Sequence, residues 1–313
     1  MKFMSEQEIM DHYHMTHAIK DVKETLMSLV AGKIKTEERI VIESDGNTML
    51  YMPCVDLKEN FSLIKIISIF PGNPDKGLST SQAVSILSEL KTGKHVATLD
   101  ASYLTRLRTG AITGIATDSL ARQDAEVVGV IGTGGMAFEQ LLGVLAVRTV
   151  KKILLYNRTM EKAQLFAEQL RSAAIDADIE VVSEVNQLTA QADIINCATK
   201  SHEAVFDHRA VKQGTHINGL GSYLPSMREI NVDTIAAADL IVLDDWEGAK
   251  YEAGEFIEAE ALGRFNWNEA LSLTDLISQQ VSRQHINDIT IFKSVGASYY
   301  DLAVGVGAYK LMQ

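Results

Sequence analysis

Apolar positions change period twice along the chain. Ser5 is followed three places on by Glu8, a capping-box pattern, and Ile19, Val22, Leu26, Leu29 and Val30 recur at helical spacing up to Gly32. That pattern predicts a helix over residues 5–31. From Arg39 to about Asp100 the runs RIVIE, TMLYMP, LIKIISIF, AVSIL and HVATLD are short and β-rich, separated by SDGN, PGNPDKG and TGK. Strand after strand without helices between them predicts a mixed or antiparallel sheet. A helix follows from about Ser102 to Arg122. Beyond Glu126 the rhythm alternates: VVGVI, KILLY, IEVV, DIINC, THIN and DLIVL read as strands. Met136 to Val147 and Thr159 to Ser172 read as helices. Alternation of this kind marks a parallel, doubly wound sheet. The tail from TIFKSVG to Lys310 has a strand-like start and a helix with a Leu302/Val306/Tyr309 face, too small to stand alone. The expected architecture is α/β, with a doubly wound domain of residues 119–288 inserted into a mixed α+β domain made of 1–118 and 289–313.

Composition narrows the partners. In 313 residues, 29 Lys and Arg stand against 41 Asp and Glu, a formal charge of −12. With no block of basic residues, that charge argues against nucleic acid or an anionic membrane surface. No stretch reaches about 18 uninterrupted apolar residues, so no span of a bilayer is expected. The opening MKFMSEQEIMDHYH turns polar where a signal peptide needs an apolar core. Cys54 and Cys197 match no metal-ligand or redox spacing, and a reducing cytoplasm is the expected home. No metal is expected: His12, His14 and His17 read as a solvated helix face, and Asp244, Asp245 and Glu247 as a helix N-terminus.

The chemistry begins at Gly132-Thr-Gly134-Gly135-Met136-Ala137, which follows a predicted strand and opens a predicted helix. Strand, glycine turn, helix and a second strand ending about 25 residues on form a dinucleotide fingerprint. Gly132 permits the turn, Gly134 lets backbone approach a pyrophosphate, and the helix N-terminus offers unpaired N–H groups. The second strand ends in Tyr156-Asn157-Arg158-Thr159, where an NAD site usually carries a carboxylate for the ribose hydroxyls. A neutral amide followed by a cation suits a 2′-phosphate, with Arg158 gripping it and Asn157 and Thr159 adding hydrogen bonds. NADP(H) is therefore the preferred cofactor, with NAD(H) still compatible. In the first domain, Lys65 sits mid-strand among apolar neighbours, Arg39 begins a strand, and Arg106 and Arg108 lie on a helix. By pattern alone each is either a site cation or a surface one, since a strand lysine can snorkel to a sheet edge.

The segments LIKIISIFPGNPDKGLSTSQAVSIL, TGKHVATLDASYLTRLRTGAITGIATDSLA, VIGTGGMA, YNRT, INGLGSYLPSMREI and FKSVGASYYDLAVG resemble the ornithine cyclodeaminase/μ-crystallin family, in family order across residues 39–307. The resemblance implies a Rossmann domain inserted in a mixed α/β domain, a homodimer, and a substrate site between the two domains. It implies that Arg39 and Arg108 hold a substrate carboxylate and that Lys65 is the active-site lysine. It places Thr80, Arg108, Gly132, Gly134, Gly135, Met136, Asn157, Arg158, Thr159, Thr199, Leu220, Gly221, Lys293 and Val295 at cofactor positions. Asp301 resembles a residue of the C-terminal motif, as a cap or a hydrogen-bonding neighbour of the cofactor.

One departure decides between activities. Ornithine cyclodeaminases have a catalytic Asp two residues before the proline of the loop that here reads Gly221-Ser222-Tyr223-Leu224-Pro225. Tyr223 stands there, and a phenol with a pKa near 10 is a poor base at neutral pH. The expected activity is reduction of the C=N bond of a small cyclic ketimine acid, Δ1-pyrroline-2-carboxylate to L-proline or the piperideine homologue to L-pipecolate, with Tyr223 lining the substrate. The alternatives are a cyclodeaminase or alanine-dehydrogenase-like oxidoreductase, and a μ-crystallin-like NADPH-dependent binding protein.

Overall fold

The β-rich first third of the chain folds into one seven-stranded sheet, and the alternating remainder into an eight-stranded one. The computed structural model describes residues 1–313 and divides into two units, Met1–Ala111 with Ala297–Gln313, and Ile112–Gly296.

The first unit holds β1 (Lys2–Met4), α1 (Glu6–His12), α2 (Met15–Val30), β2 (Ile34–Thr36), β3 (Ile40–Ser44), β4 (Asn47–Asp56), β5 (Phe61–Ile69), β6 (Ser81–Glu89) and β7 (His95–Asp100). The strand order is β1–β7–β6–β5–β4–β2, with β3 also paired to β4. Only β1 runs parallel to its neighbour, so the sheet is mixed, as the strand-rich pattern predicts. Met52, Leu63, Leu87 and Leu99 point to its buried face, where the C-terminal helix (Ser298–Leu311) lies on β4 and β5 and packs against α2. On β3, Ile40, Val41 and Ile42 are exposed by 57, 51 and 52 %.

The single N-terminal helix expected over 5–31 is two. Ser5 caps α1 in a capping box with Glu8, but Tyr13 and His14 are extended and break the run. Tyr13 is drawn inward, its hydroxyl donating to Asp21 at 2.7 Å while its carbonyl accepts from the Tyr103 hydroxyl at 3.3 Å. The histidines serve these helix ends: His12 Nδ1 lies 2.9 Å from the Glu8 carbonyl, and His17 Nδ1 accepts from the His14 N–H.

Helix α3 (Ser102–Leu120) begins in the first unit and ends in the second. There follow β8 (Val127–Ile131), α4 (Ala137–Leu145), β9 (Lys152–Tyr156), α5 (Met160–Ser172), β10 (Asp178–Val181), α6 (Val185–Gln191), β11 (Ile194–Cys197), β12 (His216–Gly219), α7 (Val232–Ala236), β13 (Leu240–Leu243), α8 (Trp246–Glu252), α9 (Gly254–Ala261), β14 (Leu271–Ser272), α10 (Leu273–Ser278) and β15 (Thr290–Lys293). All strand pairs are parallel, in the order β10–β9–β8–β11–β12–β15–β13–β14. Both faces are covered, one core holding Val128, Val130, Ile153 and Leu155, the other Ile131, Leu154, Ile195 and Ile217. Near-continuous apolar strands are what such two-sided burial requires.

The unit boundaries differ from the sequence reading. TIFK, expected in the first domain, forms β15 and pairs with β12 and β13 inside the parallel sheet, which moves the second boundary from 288/289 to 296/297. The first lies at 111/112 instead of 118/119, because the C-terminal half of α3 is held by the second unit. Arg148 donates to the carbonyls of Thr117, Asp118, Ala121 and Arg122. Arg283 Nε donates to that of Leu120. These guanidinium groups add charged donors to carbonyls at and just past the C-terminal end of α3. No helix is long and apolar enough to cross a membrane.

Candidate active site

In the first unit the site grows out of strand register. Lys65 pairs across the sheet with Met52 and Ser85, and Ser85 in turn with Leu99. All four point to the buried face, so Lys65 does not snorkel and is 2 % exposed. A lone buried ammonium is costly, and here Asp301, in the first turn of the C-terminal helix, supplies the counter-charge. Asp301 Oδ2 lies 2.7 Å from Lys65 Nζ. Its Oδ1 lies 3.3 Å from Arg108 Nε on α3. The N-terminal end of a helix also favours a carboxylate electrostatically.

Burial is the main cause that lowers the Lys65 pKa, to about 8, with Arg108 and Arg39 adding to it and Asp301 opposing. Lys65 and Arg108 thus set two positive charges against the one carboxylate of Asp301, and the Arg39 charge is felt at Lys65 as well. Such a group has room, electrostatically, for a second carboxylate, and its ammonium gives up a proton near pH 8. Arg106 is not part of it; its guanidinium pairs with Glu6 at 3.0 Å. Thr80 ends the loop after β5, where its carbonyl accepts from Phe70 N–H.

In the second unit the glycine turn after β8 has the geometry the fingerprint predicts. Gly132 has φ +91°, and a Cβ there would lie 2.7 Å from Thr199 Cγ2 and 2.8 Å from the Ala198 carbonyl oxygen. Gly134 and Gly135 are exposed and face open space. Met136 caps α4, whose first N–H groups lie just past this opening. The turn therefore fits a dinucleotide pyrophosphate, with room where backbone must come close and a helix N-terminus beside it. Asn157 braces the turn: Oδ1 accepts from Thr133 N–H at 3.2 Å and Nδ2 donates to the Thr159 carbonyl at 2.9 Å. Arg158 and Thr159 are left exposed at the end of β9.

Further along the same sheet edge, Thr199 follows β11, Leu220 and Gly221 follow β12, and Val295 follows β15. Asp244, at the end of β13, accepts from Ser294 Oγ and from the N–H groups of Val295, Gly296 and Asp245. The acidic run was expected to form a helix N-terminus. Asp245 does cap α8, whereas Asp244 fixes the loop that carries Val295. Lys293 is fully buried; its ammonium lies 3.1 Å from Glu255 and donates to Ser222, so it holds the loop bearing Gly221 and Tyr223 from behind. No three His, Cys, Asp or Glu side chains are grouped to hold a metal ion.

Sequence reasoning named Asp301 from its place in the C-terminal motif, as a cap or a neighbour of the cofactor, and missed its part as shared counter-ion; Glu255 and Glu229 it missed altogether.

Comparison with known proteins agrees with these features. The Ornithine cyclodeaminase/mu-crystallin family profile matches residues 1–310. The chain is 35 % identical over 269 residues to a Delta(1)-pyrroline-2-carboxylate reductase of Bacillus cereus, covering 85 % of this chain and 82 % of that protein. Among solved structures, Thermococcus litoralis Delta(1)-pyrroline-2-carboxylate reductase, in complex with NADH and L-proline, superposes with a TM-score of 0.95 at 31 % identity, over 99 % of this chain and 97 % of the other. An archaeal alanine dehydrogenase dimer with bound NAD gives a TM-score of 0.91 at 30 % identity, over 99 % and 95 %. Sheet order, glycine turn and buried lysine thus converge with sequence similarity along nearly the whole chain, which belongs to the ornithine cyclodeaminase/mu-crystallin family.

Proposed function

We propose that the protein is an NAD(P)H-dependent reductase that converts Δ1-pyrroline-2-carboxylate to L-proline, with Δ1-piperideine-2-carboxylate as the homologous substrate. The observation that carries this reading is the buried Lys65 ammonium beside Asp301 and Arg108. The pyrroline-2-carboxylate reductases among its relatives support it.

Arg108 and Arg39 bind the substrate carboxylate, and that contact orients the ring. The dinucleotide, when bound, supplies the hydride that adds to the imine carbon. Lys65 Nζ gives its proton to the imine nitrogen, so the C=N bond becomes CH–NH with one hydride and one proton consumed. Lys65 then regains a proton from solvent. Asp301 holds Lys65 and Arg108 in register and keeps the lysine protonated at neutral pH. Tyr223, in the loop after β12, stands where a cyclodeaminase carries its catalytic Asp, and its phenol does not act as a base.

NADPH is the preferred cofactor in this reading, because the end of β9 carries exposed Arg158 and no carboxylate. NADH remains usable, as in the Thermococcus relative. The protein assembles as a homodimer through the sheet of the first unit, where the adjoining Ile40, Val41 and Ile42 on β3 form an exposed apolar edge. A second reading, an alanine dehydrogenase, has the archaeal relative in its favour.

The experiment is a panel of NADPH and NADH oxidation with five- and six-membered cyclic ketimine acids and with pyruvate plus ammonia. Turnover of the cyclic imines, lost on Lys65→Ala and weakened on Arg108→Ala, is the expected result. Turnover of pyruvate plus ammonia alone would establish the second reading. Wild-type rates in both variants would end the assigned roles.

A further inference from the structure

Beneath the open edge of the parallel sheet lies a fully buried group of two glutamates and one lysine, of which Glu229 has no part in the chemistry above. All three side chains, Glu229, Glu255 and Lys293, are 0 % exposed. Glu255 is paired to Lys293 at 3.1 Å. The carboxylate of Glu229 instead gathers donors from two different loops. Its Oε1 accepts from Thr199 N–H at 2.6 Å and from the Thr199 hydroxyl at 2.9 Å. Its Oε2 accepts from Gly221 N–H at 2.7 Å and from Ser222 N–H at 3.1 Å.

Those loops touch directly. A Cβ on Gly221 would lie 2.2 Å from the Thr199 carbonyl oxygen and 2.3 Å from the Thr199 nitrogen. Only glycine permits that approach, and Glu229 spans it with one oxygen on each side. Ser222 adds a second tie, its hydroxyl donating to Glu255 at 3.0 Å and accepting from Lys293.

We propose that Glu229 is a positioning residue for the dinucleotide, fastening the loop after β11 to the loop after β12 so that Thr199, Leu220 and Gly221 meet the cofactor as one preformed edge. The inference rests on the reading of this unit as a dinucleotide-binding one. Its physical basis is preorganisation: loops already ordered by charge-assisted hydrogen bonds lose less freedom when a ligand binds. Burial, with the Glu255 charge adding, raises the Glu229 carboxyl pKa, and Lys293 and the Thr199 and Gly221 amides offset that only in part. Each Glu229 oxygen nonetheless faces donors of one loop, so the side chain serves as an acceptor on both sides.

Glu229→Gln replaces one acceptor oxygen by an NH2 group, which then faces the donors of one loop. In the full-length protein its NADPH dissociation constant, read by nucleotide fluorescence, is expected to rise about tenfold or more. Amide hydrogen exchange at residues 199–201 and 220–222 is expected to accelerate in the absence of nucleotide. In steady state the KM for NADPH rises while the KM for the imine stays near wild type, and Glu229→Asp, which keeps two acceptor oxygens, recovers part of the loss. A folded Glu229→Gln protein with wild-type NADPH affinity and unchanged loop exchange would overturn the proposal. If that variant does not fold, Thr199→Val and Ser222→Ala each remove one side-chain tie. Weaker NADPH binding together with faster exchange at residues 199–201 and 220–222 in the nucleotide-free variants supports the proposal, and wild-type exchange in both overturns it. A wild-type protein that binds NADPH but reduces no imine would refute the imine reductase reading and leave this test intact. One that binds neither nucleotide would overturn both.

Discussion

Lys65 Nζ and Asp301 Oδ2 lie 2.7 Å apart, both almost wholly buried, one on a central strand and the other in the first turn of the last helix. Neither charge is stable there alone, and the pair fixes where a proton is stored. Lys65 titrates near 8, lowered by burial and held from falling further by Asp301. If Lys65 is the proton donor, imine reduction is fastest below about pH 8 and declines as the ammonium is lost above it. Removing the carboxylate in Asp301→Asn lets burial, Arg108 and Arg39 act unopposed, so the alkaline limb moves to lower pH. The check is kcat/KM against pH for both proteins; an unmoved limb would separate Asp301 from the proton.

Arg158 is exposed at the end of β9, next to an Asn157 whose carboxamide is already committed to Thr133 and Thr159. In the proposed preference for NADPH, discrimination for a 2′-phosphate falls on Arg158 more than on Asn157. Arg158→Ala is expected to raise the KM for NADPH about tenfold or more. The KM for NADH should change little, and steady-state kinetics with both nucleotides decide it.

The glycines of the fingerprint separate folding from binding. A Cβ on Gly134 meets nothing within 4 Å, whereas one on Gly221 meets Thr199 backbone at 2.2 Å. Gly134→Ala is expected to melt at or near the wild-type temperature yet bind NADPH about tenfold or more weakly, because the new methyl occupies pyrophosphate space. Gly221→Ala is expected to lower the melting temperature as well. Thermal melts paired with nucleotide titration test both.

His216 sits buried on β12 between Thr290 Oγ1 at 2.9 Å and Asn218 Oδ1 at 3.1 Å. Burial above all, with the Arg283 and Arg148 charges adding, lowers its pKa to about 3 from the ordinary 6.5. Between those values the unfolded chain binds a proton that the folded one refuses, so stability rises with pH across that window and is lost as pH falls from 6.5 toward 3. His216→Gln should flatten the denaturation free energy against pH there, by at most about 1.4 kcal/mol per pH unit. Equal slopes in both proteins would remove His216 as the cause.

Local pattern by itself determined β3 to β13 and the doubly wound character of the second half, because apolar period and turn residues act over a few neighbours; the two- and three-residue strands β1, β2 and β14 are too short to show a period. Local pattern also placed the glycine turn, whose function depends on consecutive residues. The break at Tyr13–His14 was not legible, since it follows from Tyr13 reaching Asp21 and Tyr103. The assignment of TIFK was not legible either, because an apolar strand names no partner and only the ladder with β12 and β13 places it in the parallel sheet. The same limit governs the site. Sequence showed that Lys65 points to one face of a strand, and tertiary structure decided that this face is buried and that Asp301, 236 positions away, meets it. Charge pairing across such separations depends on distance in space, which one-dimensional spacing does not encode.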